Sequence, residues 1–125
     1  MKRLMLAVAA LAFSASASAQ WIQIGETHDT VLFHALDTLR KDGNLRRVWE
    51  IQDFKADVFG DGVRSLRYQS EYDCVGERLR VLYLQAFKSQ MAAGEALNVP
   101  FNGKDWVPVP ANSIASISLR IVCSL

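Results

Sequence analysis

Along most of this chain apolar and polar residues alternate with a period of two. In an extended strand successive side chains point to opposite faces, so the pattern predicts a β-rich domain whose sheet has one buried face. Trp21-Ile22-Gln23-Ile24 reads as a short first strand, broken over residues 25–29, and Thr30–Ala35 as a second, more fully buried one. Asp42-Gly43-Asn44 is a turn signal. Beyond it Leu45, Arg47, Trp49 and Ile51 share one face of a long strand, and Arg46, Val48, Glu50, Gln52 and Phe54 share the other. Gly60-Asp61-Gly62 marks the next turn. The run after it alternates most cleanly. Leu66, Tyr68, Ser70, Tyr72 and Cys74 face one way and Arg67, Gln69, Glu71 and Asp73 the other, which sets Cys74 on the apolar side.

Past the turn at Gly76-Glu77, Arg78–Phe87 is apolar on both sides and is expected at the centre of the sheet. Met91–Val99 reads as one more strand. Trp106-Val107-Pro108-Val109-Pro110 reads as an extended connection, because proline removes ladder donors. The last stretch, Asn112–Cys123, fits two descriptions. Asn112 or Ser113 can cap a helix in which Ile114, Ile117, Ile121 and Val122 form an apolar stripe. Ile117, Leu119, Ile121 and Cys123 also alternate as a strand. In an ideal helix Cys123 faces away from the isoleucine stripe, so a helix here must end before it for the sulfur to turn inward.

The N-terminus has a different character. Lys2 and Arg3 precede an apolar run, Leu4–Phe13, that is too short to span a bilayer. Small residues follow and end in Ala17-Ser18-Ala19, a cleavage signature that predicts a cut between Ala19 and Gln20. Residues 1–19 are then a signal peptide and residues 20–125 one exported domain. Export changes the charge reading: the whole chain is +1, but without Lys2 and Arg3 the domain is about −1. That balance gives no reason to expect nucleic acid or an anionic membrane as partner. It also changes the reading of the cysteines. Cys74 and Cys123 are the two in the chain, and in an exported domain such a pair is expected as a disulfide. No cysteine lies near the cleavage site, so neither a lipid anchor nor a membrane span is expected.

Chemistry is sparse. His28 and His34 with Asp29 and Asp37 lack a third strong ligand at suitable spacing and read as bystanders, surface or half-buried. There is no Gly-x-Ser-x-Gly elbow, no phosphate loop, and Cys74 follows Asp73, which disfavours a thiolate. No catalytic, cofactor-binding or metal-ligating residue is assigned; His28 or His34 in a deep pocket beside an acid would reopen catalysis. Glu71 and Asp73 read as solvated edge charges. Arg64, Arg67, Arg78 and Arg80 flank the Cys74 hairpin and, with Trp106, are the candidate binding surface, although Glu71, Asp73 and Glu77 interleave with them. Trp49 is expected in the core.

Several of these pieces, in order, resemble the surface-adhesin protein E family of Gram-negative bacteria. They are Trp21-Ile22-Gln23-Ile24-Gly25, Asp42-Gly43-Asn44 leading into Arg47-Val48-Trp49, Tyr72-Asp73-Cys74, Gly94-Glu95, Trp106-Val107-Pro108-Val109-Pro110 with Ser113, and the closing Cys123. The resemblance implies an α+β fold: one antiparallel sheet of about six strands with a C-terminal helix on its concave face, held by a disulfide that here joins Cys74 and Cys123. It implies a non-enzymatic binding protein, periplasmic or secreted, whose partner is a host extracellular-matrix or serum protein or an envelope protein, and a homodimer. A periplasmic inhibitor or envelope stress-response module is the alternative. The founding adhesin is a lipoprotein, and this chain departs from it in lacking a lipidation cysteine.

Overall fold

The computed structural model describes residues 20–125; the expected signal peptide and the first residue of its cleavage site lie outside them. Seven strands form one antiparallel sheet: β1 (Trp21–Glu26), β2 (Thr30–Asp42), β3 (Leu45–Phe54), β4 (Ser65–Asp73), β5 (Arg78–Phe87), β6 (Ala96–Leu97) and β7 (Val107–Pro108). The order is β1-β2-β3-β4-β5-β6, with β7 pairing the other end of β5. One helix, α1 (Ile114–Cys123), closes the chain. From β1 to β6 each strand pairs antiparallel with the next in sequence, whereas β7 returns to β5, and the alternation of each long strand maps onto the two faces.

The turn between β2 and β3 falls at Gly43 and Asn44, with Gly43 at φ +55°, a left-handed conformation that glycine adopts without steric cost. Three departures from regular pairing shape the sheet. Ile24 is an extra residue opposite the Leu32/Phe33 step, and Leu82 is extra opposite Gln69/Ser70. The largest bulge lies in β2 between Ala35 and Arg40. There Thr38 replaces the missing ladder contacts, its hydroxyl donating to the Ala35 carbonyl at 2.6 Å and accepting the Trp49 amide at 3.1 Å.

The helix settles the ambiguous C-terminus. Ser113 is the N-cap and accepts from the Ser116 amide at 3.2 Å. The buried stripe differs from the expected one: Ser118 and Val122 are fully buried, whereas Ile117 is 38% exposed. The helix is therefore rolled so that Ser118, Leu119, Val122 and Cys123 meet the sheet, and Cys123 reaches Cys74 while still its last residue. No fraying is needed to turn the sulfur inward. The bridge closes over a Cα–Cα distance of 5.7 Å and a sequence separation of 49.

The covered face carries two core clusters. Val48, Tyr72 and Val122 pack with Leu39, Leu79, Leu119 and Cys123 beneath α1. Phe54, Val63 and Ala86 pack with Leu66, Leu97 and Val99 at the other end. Met91–Val99 is not a full strand. Met91 and Ala92 take left-handed φ values of +59° and +54° in a tight turn, and only Ala96–Leu97 pairs with β5. Likewise β5 is not central: β6 and β7 cover only its two ends, and its middle is open.

Candidate binding surface

The most polar site in the fold is buried rather than open. Glu50, on the covered face of β3, is 2% exposed. Its carboxylate accepts from Ser70 at 3.0 Å, from Ser118 at 2.9 Å and from Tyr72. His34 Nε2 lies 2.9 Å from Glu50 Oε1 and 2.6 Å from Ser118 Oγ. Burial, and then the nearby Glu50, push the Tyr72 hydroxyl well above its ordinary pKa, so it stays a donor. His34 is thus no half-buried bystander; it is fully enclosed beside an acid. The group holds a serine, a histidine and an acid, yet its geometry is not that of a nucleophilic triad. One nitrogen of His34 faces both partners and Nδ1 has none, whereas a triad places acid and serine on opposite nitrogens. The group lies under α1 and pins helix to sheet, and Glu50, Ser70 and Tyr72 also border an adjoining cleft. Beside it a cleft of ≈ 200 Å³ opens between α1 and β5, lined largely by apolar residues including Leu66, Val81, Leu84 and Ile114.

The opposite face of the sheet is not covered by α1, and most of the sequence-selected residues are there. Glu71 is buried, not solvated: Arg47 Nε and Arg80 Nη2 each approach its carboxylate at 2.5 Å. Its burial raises the carboxyl's pKa, but the two guanidinium bonds outweigh that and hold it below the usual range. Asp73 is lowered as well, by the Gly76 amide and then by Arg78. Both carboxyls release protons more readily in the fold than in the unfolded chain. Their contribution to stability is complete above the ordinary carboxylate range and is lost as pH falls through the lowered values. The urea midpoint is expected to drop between about pH 6 and about pH 3. Glu71→Gln should lose stability at the higher pH and show a shallower acid drop; an unchanged slope in that variant would refute the assignment.

Arg78 and Arg80 both lie against Trp106, each guanidinium carbon 4.5 Å from the ring centroid. The five candidate residues therefore do not form one patch. Arg78, Arg80 and Trp106 come together near β7. Arg67 sits further along the same face, 5.9 Å from the Trp49 ring. Arg64 belongs to neither, because it bonds the carbonyls of Phe54 and Lys55 at 3.3–3.4 Å and closes the loop before β4. Trp49 is half-buried on the open face and stacks on Tyr83 at 6.3 Å, not in the core. The alternation did place Trp49 with Arg47 and Ile51; what misled was the assumption that a tryptophan marks the covered side. Sequence reasoning passed over Tyr83 altogether, although it stands on the same face of β5 as Arg78 and Arg80.

No group of three or more histidine, cysteine, aspartate or glutamate side chains is arranged to hold a metal among the described residues. Nor is any helix among them long and apolar enough to cross a membrane.

No curated protein matches the sequence. The fold is similar to solved structures of protein E from Haemophilus influenzae. The selenomethionine form is 10% identical, with a TM-score of 0.66 over 86% of this chain and 88% of that one. A second structure is 11% identical, with a TM-score of 0.63 over 86% of each. Protein E from a non-typeable strain is 9% identical, with a TM-score of 0.60 over 88% of this chain and 79% of that one. At such identities the likeness speaks for the fold alone, but the sequence itself matches the family described as surface-adhesin protein E over residues 21–124. With nearly the whole described domain matched, and sheet, helix and bridge all in place, the chain belongs to the surface-adhesin protein E family.

Proposed function

We propose that this protein is exported and acts as a non-enzymatic, adhesin-like binding domain that engages a host extracellular-matrix or serum protein through the open face of its sheet. The observation that carries the reading is the concentration of aromatic and arginine side chains there. Trp106 is held by Arg78 and Arg80, and Trp49 by Arg67 and Tyr83. Tryptophan, tyrosine and arginine are the residues most enriched at interface hot spots. Rings and guanidinium groups already fixed by one another lose little freedom on binding. Family membership supports the adhesin class, and the placing of Glu50 and Ser118 on the same nitrogen of His34, unlike a triad, supports a non-enzymatic role.

Surface plasmon resonance of the exported protein against purified matrix and serum glycoproteins tests the reading. Saturable micromolar binding to at least one of them is expected, together with protease accessibility of the protein on intact cells. Absence of binding across the panel, or protection from protease in intact cells, would overturn it.

A further inference from the structure

Three features lie along one row of the open face. The first is an aromatic row. Pairing runs Trp21–Ala35–Trp49–Gln69–Tyr83 across β1 to β5, so the three rings stand on one face at every second strand, about 10 Å apart at the backbone. Ala35 is fully buried and too small to fill the space above it. A trough of ≈ 300 Å³ results, lined by Trp21, Thr38, Trp49 and Arg67.

The second feature is the state of Arg67. Its guanidinium lies between two rings, 5.9 Å from the centroid of Trp49 and 5.6 Å from that of Phe87. Of the arginines that β3, β4 and β5 turn to this face, Arg47 and Arg80 share Glu71, and Arg78 has Asp73. Among the described residues Arg67 has no carboxylate. It donates to the Gln85 side chain, and its buried Nε has no partner. The third feature is Lys104, whose Nζ lies 5.8 Å from the Tyr83 centroid and likewise pairs with no carboxylate among the described residues.

A guanidinium fixed between rings is a ready-made fork for a carboxylate, because its orientation is set before the anion arrives. Exposed aromatic faces carry the negative side of the ring quadrupole and attract polarised C–H groups. A ligand suited to this row has flat C–H faces, hydroxyls for Thr38, Gln69 and Gln85, and a carboxylate. We propose that the row is a binding site for a uronic-acid-type saccharide. Arg67 takes the sugar carboxylate, Trp49 stacks on a ring face, and Trp21 and Tyr83 extend the track to neighbouring sugars. An acidic peptide fits less well, since the row runs across the strands: a chain lying along it would cross the open middle of β5 at a right angle and could not pair with that edge. The site shares Trp49, Arg67 and Tyr83 with the face proposed for protein binding, but saccharide binding there does not require a protein partner.

The test titrates the exported protein with hyaluronan hexasaccharide, whose sugars alternate between uronate and N-acetylhexosamine. Chitohexaose serves as neutral control and oligoglutamate of equal charge as peptide control. Amide and indole shifts in a two-dimensional NMR spectrum of the unaltered protein locate the site without any variant, and calorimetry gives affinity. Saturable shifts centred on Trp21, Trp49, Arg67 and Tyr83 are expected with hyaluronan. Arg67→Lys should weaken binding about tenfold, the loss of one charge-assisted bond, with the melting temperature preserved. Ile117→Ala, on the exposed side of α1, should leave the affinity unchanged. The proposal is overturned by no saturable shift with hyaluronan, by shifts centred elsewhere, or by equal affinity for chitohexaose or for oligoglutamate. Protein partners are probed separately after enzymatic removal of their glycans. Binding that survives this supports the protein reading and leaves the hyaluronan result to decide the saccharide site alone.

Discussion

Reducing the Cys74–Cys123 bridge is expected to lower the melting temperature by on the order of 15 °C or more. The bridge spans a sequence separation of 49. In the chain-entropy treatment a loop of that length stabilises the fold by about 4 kcal/mol, and each kcal/mol moves the midpoint of a domain this size by roughly 4 °C. The geometry adds to the effect, because the bridge ties the end of α1 to the covered face, where Val122 and Leu119 complete the Val48–Tyr72 cluster. Thermal unfolding followed by circular dichroism, with and without a phosphine reductant, measures it, and Cys123→Ser should reproduce the reduced curve. A melting temperature indifferent to reduction would show that the covered face holds α1 without the tether.

Glu50→Ala is expected to cost about 3–5 kcal/mol, as when one partner of a buried charged group is removed. The carboxylate accepts from Ser70, Tyr72 and Ser118 and lies beside His34, so truncation leaves several buried polar groups without their partner. Against a typical total of 5–15 kcal/mol, the variant would be at the edge of folding. Glu50→Gln keeps volume and one acceptor oxygen and should lose less. Urea unfolding of the two variants separates them. If Glu50→Ala unfolded at the wild-type midpoint, the network would be dispensable and the roll of α1 would need another cause.

These two sites also show where sequence reading succeeds and where it stops. The alternation from Leu66 to Cys74 placed Tyr72, Ser70 and Cys74 on the covered side because a period of two is a local property. Ser118 was out of reach. On a helical wheel the isoleucines make the stronger stripe, and only the non-local presence of Glu50, more than sixty residues earlier, makes a serine the better residue to bury. Glu71 is the same lesson on the other face. A carboxylate between aspartate and glutamine reads as solvated until register brings Arg47 and Arg80 to its two sides. Trp49 shows the converse error: its size argued for the core, but its parity argued for the open face, and parity decided. The arginines singled out on β4 and β5 were legible as a face; that they divide between Trp106 and Trp49 depended on pairing.

The central claim is that α1 is locked onto one face so that the other is free to bind. It is tested most directly by comparing two variants with the wild type for binding to the same matrix or serum glycoprotein. Arg80→Glu with Trp106→Ala alters the open face, and Ile117→Ala alters the exposed side of α1. With both variants folded as judged by melting temperature, the account predicts that the first loses binding and the second retains it. Loss of binding in Ile117→Ala with retention in the open-face variant would contradict it.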